Sequence, residues 1–354
     1  MATIKDIAKL TGVSCTTVSN VIHGRTGRVS AETIEKVNRA IKELNYVPNM
    51  SARSLVSNSS KVIGMINHII PKNQASFMDD PFQSSFTGAI ERALRENGYY
   101  LMLRTVETSD ELMAFLRNWN VDGLFFTGVF KDRFFDVLST LNIPIVFIDS
   151  YVHHPNFCNV GLEDFKGSYT ATKHLIDHGH RRIGFVSPTI RDGGVLQERF
   201  YGYKAALTES SIPFDKQIVF ESEMDLESCF AVSEEIARHP DITGLVVTAD
   251  IMAAGIMAGL RKLGRKVPDD ISIIGFDDIP LCRMLTPTLT TIHQDIHLKG
   301  EHAVNLMLQK LEGKEPETAE VILPTYLVER ESVRTIKPDS KSGYGSLVTE
   351  TPPF

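Results

Sequence analysis

Three groups of residues in this 354-residue chain have the types and spacing to do chemistry. The first is residues 12–22, GVSCTTVSNVI, which carry no charge, one thiol at Cys15, and hydroxyls at Ser14, Thr16, Thr17 and Ser19. Short polar side chains of this kind hydrogen-bond to phosphate oxygens and to base edges. The second is the pair Asp149 and Asp277, which close the apolar runs IPIVFID and ISIIGFD. Ligands of open α/β sheets bind beyond the carboxyl ends of the strands, and a carboxylate accepts several hydrogen bonds, which suits the hydroxyls of sugars and nucleosides. The third is His174, His178 and His180 in HLIDHGHRRIGF. His174 and His178 stand four apart, but Gly179 reads as the residue after a helix end. No acidic or cysteine partner has metal-site spacing. Neither a metal site nor a cofactor is expected.

The elements around the first group are short helices. IKDIAKL places Ile4, Ile7, Ala8 and Leu10 close to one face, and Thr11-Gly12-Val13-Ser14 breaks the pattern. Gly12 supplies the positive φ of a tight turn and Ser14 an N-cap. In the next helix Val18, Val21 and Ile22 face inward, leaving Cys15, Thr16, Thr17, Ser19 and Asn20 outside. A third helix follows Ser30, with Ser30 and Thr33 as caps and Ile34, Val37, Ile41 and Leu44 as its stripe. Helix, glycine turn, helix is the helix-turn-helix pattern, whose second helix enters the major groove. An ordinary three-helix bundle with a solvated hydroxyl face is the alternative.

Charge separates the head from the rest. Residues 1–61 hold nine Lys or Arg against four acids, a net +5, so a chain of total −7 leaves −12 on the body. A basic head on an acidic body fits a polyanionic partner for the head alone. No apolar run approaches a membrane span and no apolar leader follows Met1, so a cytoplasmic protein without a membrane partner is expected. The four cysteines are far apart and form no CxxC.

Beyond the third helix, Tyr46-Val47-Pro48 stops the pattern, and residues 49–57 fit a brief helix before Asn58-Ser59-Ser60. The segments MATIKDIAKLTGVS, TVSNVI, VSAETIEKV, ELNYVPN and ARSL resemble the lactose/galactose repressor (LacI/GalR) family of bacterial transcription regulators. The resemblance implies base-reading positions at Cys15, Thr16 and Asn20, and phosphate contacts at Ser14, Thr17, Ser19, Tyr46 and Asn49. It places Arg53 in the DNA-binding set and Leu55 as a leucine wedged into the minor groove from a hinge helix. Such a wedge unstacks a base step and is offset by added contact area. Arg25 and Arg28 lie in the glycine-rich loop HGRTGR and fit phosphate.

The body is written twice. KVIGMI at 61–66 recurs as RIGFV at 182–186, GAIERALRENGY as GYKAALTESSI, DGLFF as TGLVV, and IPIVFID as ISIIGFD. Gly64, Gly88, Gly123 and Asp149 match Gly184, Gly202, Gly244 and Asp277 in the same order. Each copy alternates apolar runs with amphipathic helices, which predicts βαβ units on parallel sheets. The expected fold is thus α/β: an all-α helix-turn-helix head and hinge helix, then a two-lobed, doubly wound, periplasmic-binding-protein-like effector domain. Expected boundaries are 1–48 for the head, 49–60 for the hinge, 61–334 for the body and 335–354 for a disordered tail. The stretch from about Thr291 is expected to rejoin the first lobe.

The resemblance extends over this region and implies an effector in the cleft, held by Arg199 and Asp277, with Phe82 near the stacking aromatic. Asp149 and Asp250 complete the candidate set. Bland alternatives stand beside each: Asp277 or Asp278 capping a helix near Ile279, Arg199 pairing with Glu198 or Asp192, Phe82 in the core. Many sugar-binding members have Asn where this chain has Ala249, which removes donors for a sugar hydroxyl. A sugar, a nucleoside or purine, or a related metabolite is the expected effector class. No GxSxG, Walker loop, GxGxxG or HExxH is present, so an enzyme is not expected. A receptor without DNA activity would leave the basic head without purpose. The tail has no leucine heptad, so a homodimer on a palindromic double-stranded DNA operator is the expected state.

Overall fold

A computed structural model describes residues 2–22, 24–47, 59–68, 76–152, 154 and 156–336. The chain divides into two compact units, residues 1–60 and 61–354. The hinge positions 49–58 and the tail from 337 lie outside the described residues. Residues 335 and 336, expected in the tail, still run along the body, where the Ile336 N–H donates to the His178 carbonyl at 2.8 Å.

The first unit contains α1 (Ile4–Thr11), α2 (Cys15–Ile22) and α3 (Ala31–Glu43). α1 opens on a capping box: Thr3 Oγ1 accepts from the Asp6 N–H and the Asp6 carboxylate accepts from the Thr3 N–H. Two otherwise orphaned donors are thereby satisfied. Gly12 ends the helix at φ 70°, its N–H on the Ala8 carbonyl. Ser14 Oγ accepts from the Thr17 N–H at 3.1 Å, and Ser30 Oγ accepts from the Thr33 N–H at 3.3 Å. Ile7, Val18, Val21, Val37 and Ala40 form the small core. Leu10 departs from expectation: it is 48% exposed, while Thr11 is buried and donates its hydroxyl to the Ile7 carbonyl. At 3.6 residues per turn the inward stripe of α1 is 4, 7, 8, 11, and position 10 falls off it.

The second unit is built on two sheets of matching topology. The first contains β1 (Val62–Asn67), β2 (Tyr100–Thr105), β3 (Gly123–Thr127), β4 (Ile145–Ile148), β5 (Cys158–Leu162) and β11 (Glu320–Leu323) in the order β11-β5-β4-β3-β1-β2. The second contains β6 (Ile183–Ser187), β7 (Val219–Glu221), β8 (Gly244–Val247), β9 (Ser272–Asp277), β10 (Thr290–His293) and β12 (Tyr326–Val328) in the order β12-β10-β9-β8-β6-β7. All pairings are parallel except β10 with β12. Position for position the two orders coincide, which is the doubly wound repeat expected from the sequence. No helix among the described residues is long and apolar enough to cross a membrane.

Helices cover the sheets: α4 (Pro81–Glu96), α5 (Ser109–Asn118), α6 (Arg133–Leu138) and α11 (Ile296–Leu311) pack in the first lobe, and α7 (Asp164–Asp177), α8 (Val195–Glu209), α9 (Leu226–Ala237) and α10 (Asp250–Lys262) in the second. The chain crosses between lobes after β5, after β10 and between β11 and β12. The expected return at Thr291 is corrected by three residues or more. Thr291 sits in the second sheet, paired with Gly275 and Val328, and α11 is the first element back in the first lobe. β12 then reverses that return.

The repeated glycines have unequal roles. A Cβ on Gly64 or Gly184 would meet Leu124 Cδ2 at 2.7 Å or Leu245 Cδ2 at 2.9 Å, so the same leucine-on-glycine contact occurs in both sheets. A Cβ on Gly202 would lie 2.1 Å from the Phe165 carbonyl oxygen, where α8 crosses α7, whereas one on Gly88 meets nothing within 4 Å. Gly202→Ala is therefore expected to destabilise by about 2–4 kcal/mol through overpacking against backbone. Gly88→Ala should be neutral or stabilising by up to about 1 kcal/mol through helix propensity. Urea unfolding of both variants tests this, and equal costs would show that the helix crossing is not the constraint.

Candidate functional site

In the head, α2 presents the hydroxyl-rich face. Ser14, Cys15 and Thr16 are exposed on its first turn, and Thr17, Ser19 and Asn20 are half-buried beside the Val18 and Val21 core contacts. The helix carries no acid in its first turn and no base in its last. Arg25 and Arg28 are exposed, and Tyr46 packs half-buried against the core. Asn49, Arg53 and Leu55 lie outside the described residues. The Ser14 hydroxyl also has a structural task, since it caps α2 and pairs with Thr17 Oγ1 at 2.9 Å.

In the body, a cavity of about 490 Å³ lies between the lobes, lined by the ends of both sheets. Phe82, Asp149, Arg199 and Asp277 all line it. Asp149 and Asp277 hold φ angles of 52° and 120°, conformations that side chains with a Cβ adopt only under constraint. Equivalent strand ends thus both carry an aspartate at positive φ, Asp149 in the left-handed α region and Asp277 beyond it, and both residues line the cleft.

The floor of the cavity is a chain of buried charges. Lys299, fully buried in the first turn of α11, donates to both Asp149 oxygens at 2.7 and 2.8 Å and to Gln294 Oε1 at 2.9 Å. An ammonium only donates, so Gln294 must present its oxygen to Lys299 and its NH₂ to the other side. That NH₂ reaches Asp277 Oδ1 at 2.6 Å. Asp149 belongs to the first lobe and Asp277 to the second, so the relay Asp149–Lys299–Gln294–Asp277 joins the lobes. Arg199 makes a second line: its Nε donates to Asp164 Oδ1 at 2.8 Å, its Nη1 to the Thr248 carbonyl at 2.6 Å, and its guanidinium stacks 3.5 Å above the Phe276 ring. Tyr151 donates to Asp164 Oδ2 at 2.8 Å from the first-lobe side.

Burial raises Asp277 well above the ordinary carboxylate range, opposed by the Arg199 charge. Burial likewise raises Asp164, with Arg199 pulling it back. Asp80, also in the lining, is raised by burial. Among the described residues, Asp277 Oδ2 and Arg199 Nη2 have no hydrogen-bond partner, and Thr248 Oγ1 is a buried orphan in the cavity wall.

Asp250 is corrected. It is fully buried behind the wall, where Oδ1 accepts the Thr291 hydroxyl and Oδ2 accepts the Ile279 N–H at 3.1 Å. It heads α10, directly after the wall residues Thr248 and Ala249, and its side chain turns into the protein. Neither Asp277 nor Asp278 caps the helix near Ile279, whose N–H donates to Asp250 instead, and Arg199 pairs with Asp164 rather than with Glu198 or Asp192. Lys299 and Gln294 were not among the expected residues. The only hint was a lysine on the inward face of an otherwise amphipathic helix. Ala249 places a methyl in the cavity wall, and Phe77, Phe86 and Phe130 join Phe82 there.

A helix-turn-helix head joined to a two-lobed α/β body with an interlobe cavity defines a ligand-responsive DNA-binding regulator. Residues 3–49 match the family described as bacterial regulatory proteins, lacI family, and residues 172–333 match the periplasmic binding protein-like domain. The chain belongs to the LacI family of bacterial transcription regulators. It is 34% identical over 343 residues to the HTH-type transcriptional repressor PurR of Mannheimia succiniciproducens, covering 95% of this chain and all of that one. It is also 34% identical over 341 residues to the ribose operon repressor of Halalkalibacterium halodurans, covering 94% and 98% of the two chains. Among solved structures it is similar to the lac repressor dimer bound to operator and the anti-inducer ONPF, with TM-score 0.82, 28% identity, and coverage of 94% and 99%.

Burial raises the Asp250 pKa from 3.8 to about 6. An acid raised in the folded state costs nothing while protonated in both states; its penalty grows as pH rises from the unfolded value toward the folded one and is constant above that. Asp250 alone is therefore expected to subtract on the order of 2–3 kcal/mol from the unfolding free energy between pH 4 and pH 6. In Asp250→Asn that step should shrink, the remaining slope belonging to Asp277 and Asp164. Urea midpoints across this pH range measure it, and an unchanged profile would assign the penalty elsewhere.

Proposed function

We propose that the protein binds a palindromic operator as a homodimer, and that a small metabolite in the interlobe cavity sets its operator affinity. The observation that carries the reading is the pair of unsatisfied groups, Arg199 Nη2 and Asp277 Oδ2, that face one cavity beside a hydrogen-bond relay joining the lobes. Donor and acceptor side by side fit a ligand edge that both accepts and donates. Phe82 and its neighbour Phe86, with ring planes 4° apart, give that ligand an apolar wall. Sugars, nucleosides and purines have both features. The wall methyl of Ala249 favours a ligand with a flat or weakly polar face on that side. Relatives are named for PurR and for the ribose operon, and the lac repressor similarity is to a dimer on operator, which supports the dimer and the DNA partner.

In this reading the exposed first turn of α2, with Cys15, Thr16 and the half-buried Asn20, reads base edges, while Ser14, Thr17, Ser19, Arg25, Arg28, Tyr46 and Asn49 position the head on phosphate, and Arg53 belongs to the same DNA-binding set. Leu55 wedges into the minor groove. Ligand competes for Asp277 and so loads the Asp149–Lys299–Gln294–Asp277 relay. The lobe angle changes, and operator affinity changes by the ligand's differential binding energy. The family is one of transcription regulators, and this mechanism requires no catalytic step.

The test is a thermal-shift screen of the full chain against sugars, polyols, nucleosides and purines, followed by operator titrations with the hit. The hit is expected to raise Tm and to change operator Kd at least tenfold, about 1.4 kcal/mol. Both effects should vanish in Arg199→Ala and Asp277→Asn. A hit retained in both variants would place the ligand outside this cavity. Leu55→Ala should weaken operator binding by on the order of tenfold or more with the salt dependence unchanged. Unaltered affinity would remove the wedge from the mechanism.

A further inference from the structure

The cluster His174, His178 and Glu329 lies in the second lobe and has no part in the regulatory cavity. The two histidines occupy the last turn of α7 and its C-cap, four residues apart, with ring centroids 4.2 Å from each other. The sequence offered them no acidic partner. The fold supplies one, because β12 runs antiparallel to β10, packs against α7, and ends at Val328, one residue before Glu329. One donor atom from each of the three side chains lies within 4.8 Å of the others.

Two details distinguish this arrangement from a chance meeting of polar groups. His174 Nε2 is buried without a hydrogen-bond partner, a costly state for an imidazole nitrogen. His178 Nδ1 lies 2.8 Å from the His174 carbonyl, which fixes the tautomer with the proton on Nδ1 and leaves Nε2 a free lone pair. Metal-bound histidines are usually oriented by such a bond from the second ring nitrogen. Among the described residues no hydrogen bond or ion pair closes between the three side chains. We infer that His174, His178 and Glu329 form a binding site for one divalent transition-metal ion, with zinc the best match to two imidazoles and a carboxylate. Four-coordinate zinc, with bonds of about 2.0–2.2 Å, sets its donors about 3.4 Å apart. Glu329 is the exposed member of the three, so binding would draw the donors together from its solvent side, with solvent taking the fourth position.

The ion ties together two entry points. α7 is the first element after the chain enters the second lobe from β5, and β12 is the first after it re-enters from β11. A metal joining their ends holds both re-entries in one geometry.

The experiment uses the full-length chain without an affinity tag, stripped with a chelator and titrated with Co²⁺ or Zn²⁺ alone. One equivalent of Co²⁺ should produce visible d–d absorption of a tetrahedral or five-coordinate ion, displaced by Zn²⁺. Zn²⁺ at about 100 times Kd should raise Tm by on the order of 5 °C. His178→Gln and Glu329→Gln should each weaken Co²⁺ binding at least tenfold while keeping the metal-free Tm and operator binding. Glu329→Asp, which keeps the carboxylate, should retain the spectrum with reduced affinity. Absence of binding at 100 μM ion, or binding that survives both glutamine variants, overturns the site.

Discussion

The ammonium of Lys299 is the constraint on which the body depends. A fully buried cation is tolerated only when its charge is paired and its donors are used, and Lys299 uses both oxygens of Asp149 and the amide of Gln294. Those partners come from the residue after β4 and the residue after β10, and the lysine itself from α11, so the network forms only when the chain has passed to the second lobe and returned. The same bonds that neutralise the lysine carry the amide of Gln294 to Asp277. Stability of the floor and the bonded link between the lobes are therefore one network.

The duplication explains why this floor can exist. In each sheet an aspartate at positive φ stands at or just after the end of the fourth strand in chain order, so the carboxylates converge from two sides on one cavity. Two facing carboxylates would repel, and the structure separates their fates. Asp149 is matched with Lys299, while Asp277 is pushed up by burial, facing an amide NH₂ and the field of Arg199. The symmetric scaffold thus has an asymmetric site, with a satisfied pair in the first lobe and an incompletely bonded one in the second.

A similar economy holds at the periphery of the second lobe. Asp250, at the start of α10, satisfies the turn at Ile279 and the hydroxyl of Thr291, fixing the connection that leads to β10 and Gln294. His174 and His178, at the end of α7, meet Glu329 only because β12 is the antiparallel exception in its sheet. Residues with little in common along the chain become neighbours where the lobe crossings bring strands back.

The local features were legible from sequence because their physics is local. Gly12, the Ser14 and Ser30 caps, the inward stripes of α2 and α3, the apolar strands and their repeat all follow from periodicities of a few residues. Arg199 and Asp277 could be placed from the family resemblance and the strand ends. Where the periodicity was misjudged, as for Leu10, the error was one position on a helix. Lys299 and Glu329 were of another kind. The first pairs with a residue 150 positions away and the second stands 151 positions beyond His178. No short-range pattern encodes such meetings. The direction of the Asp250 side chain also depended on tertiary structure, because one carboxylate after a strand can face a cleft or a neighbouring turn with equal local cost. Sequence by itself determined which segments form helices and strands and which strand ends carry charge. Only the three crossings between lobes decided which charges meet, because burial and pairing of a side chain are properties of everything packed around it.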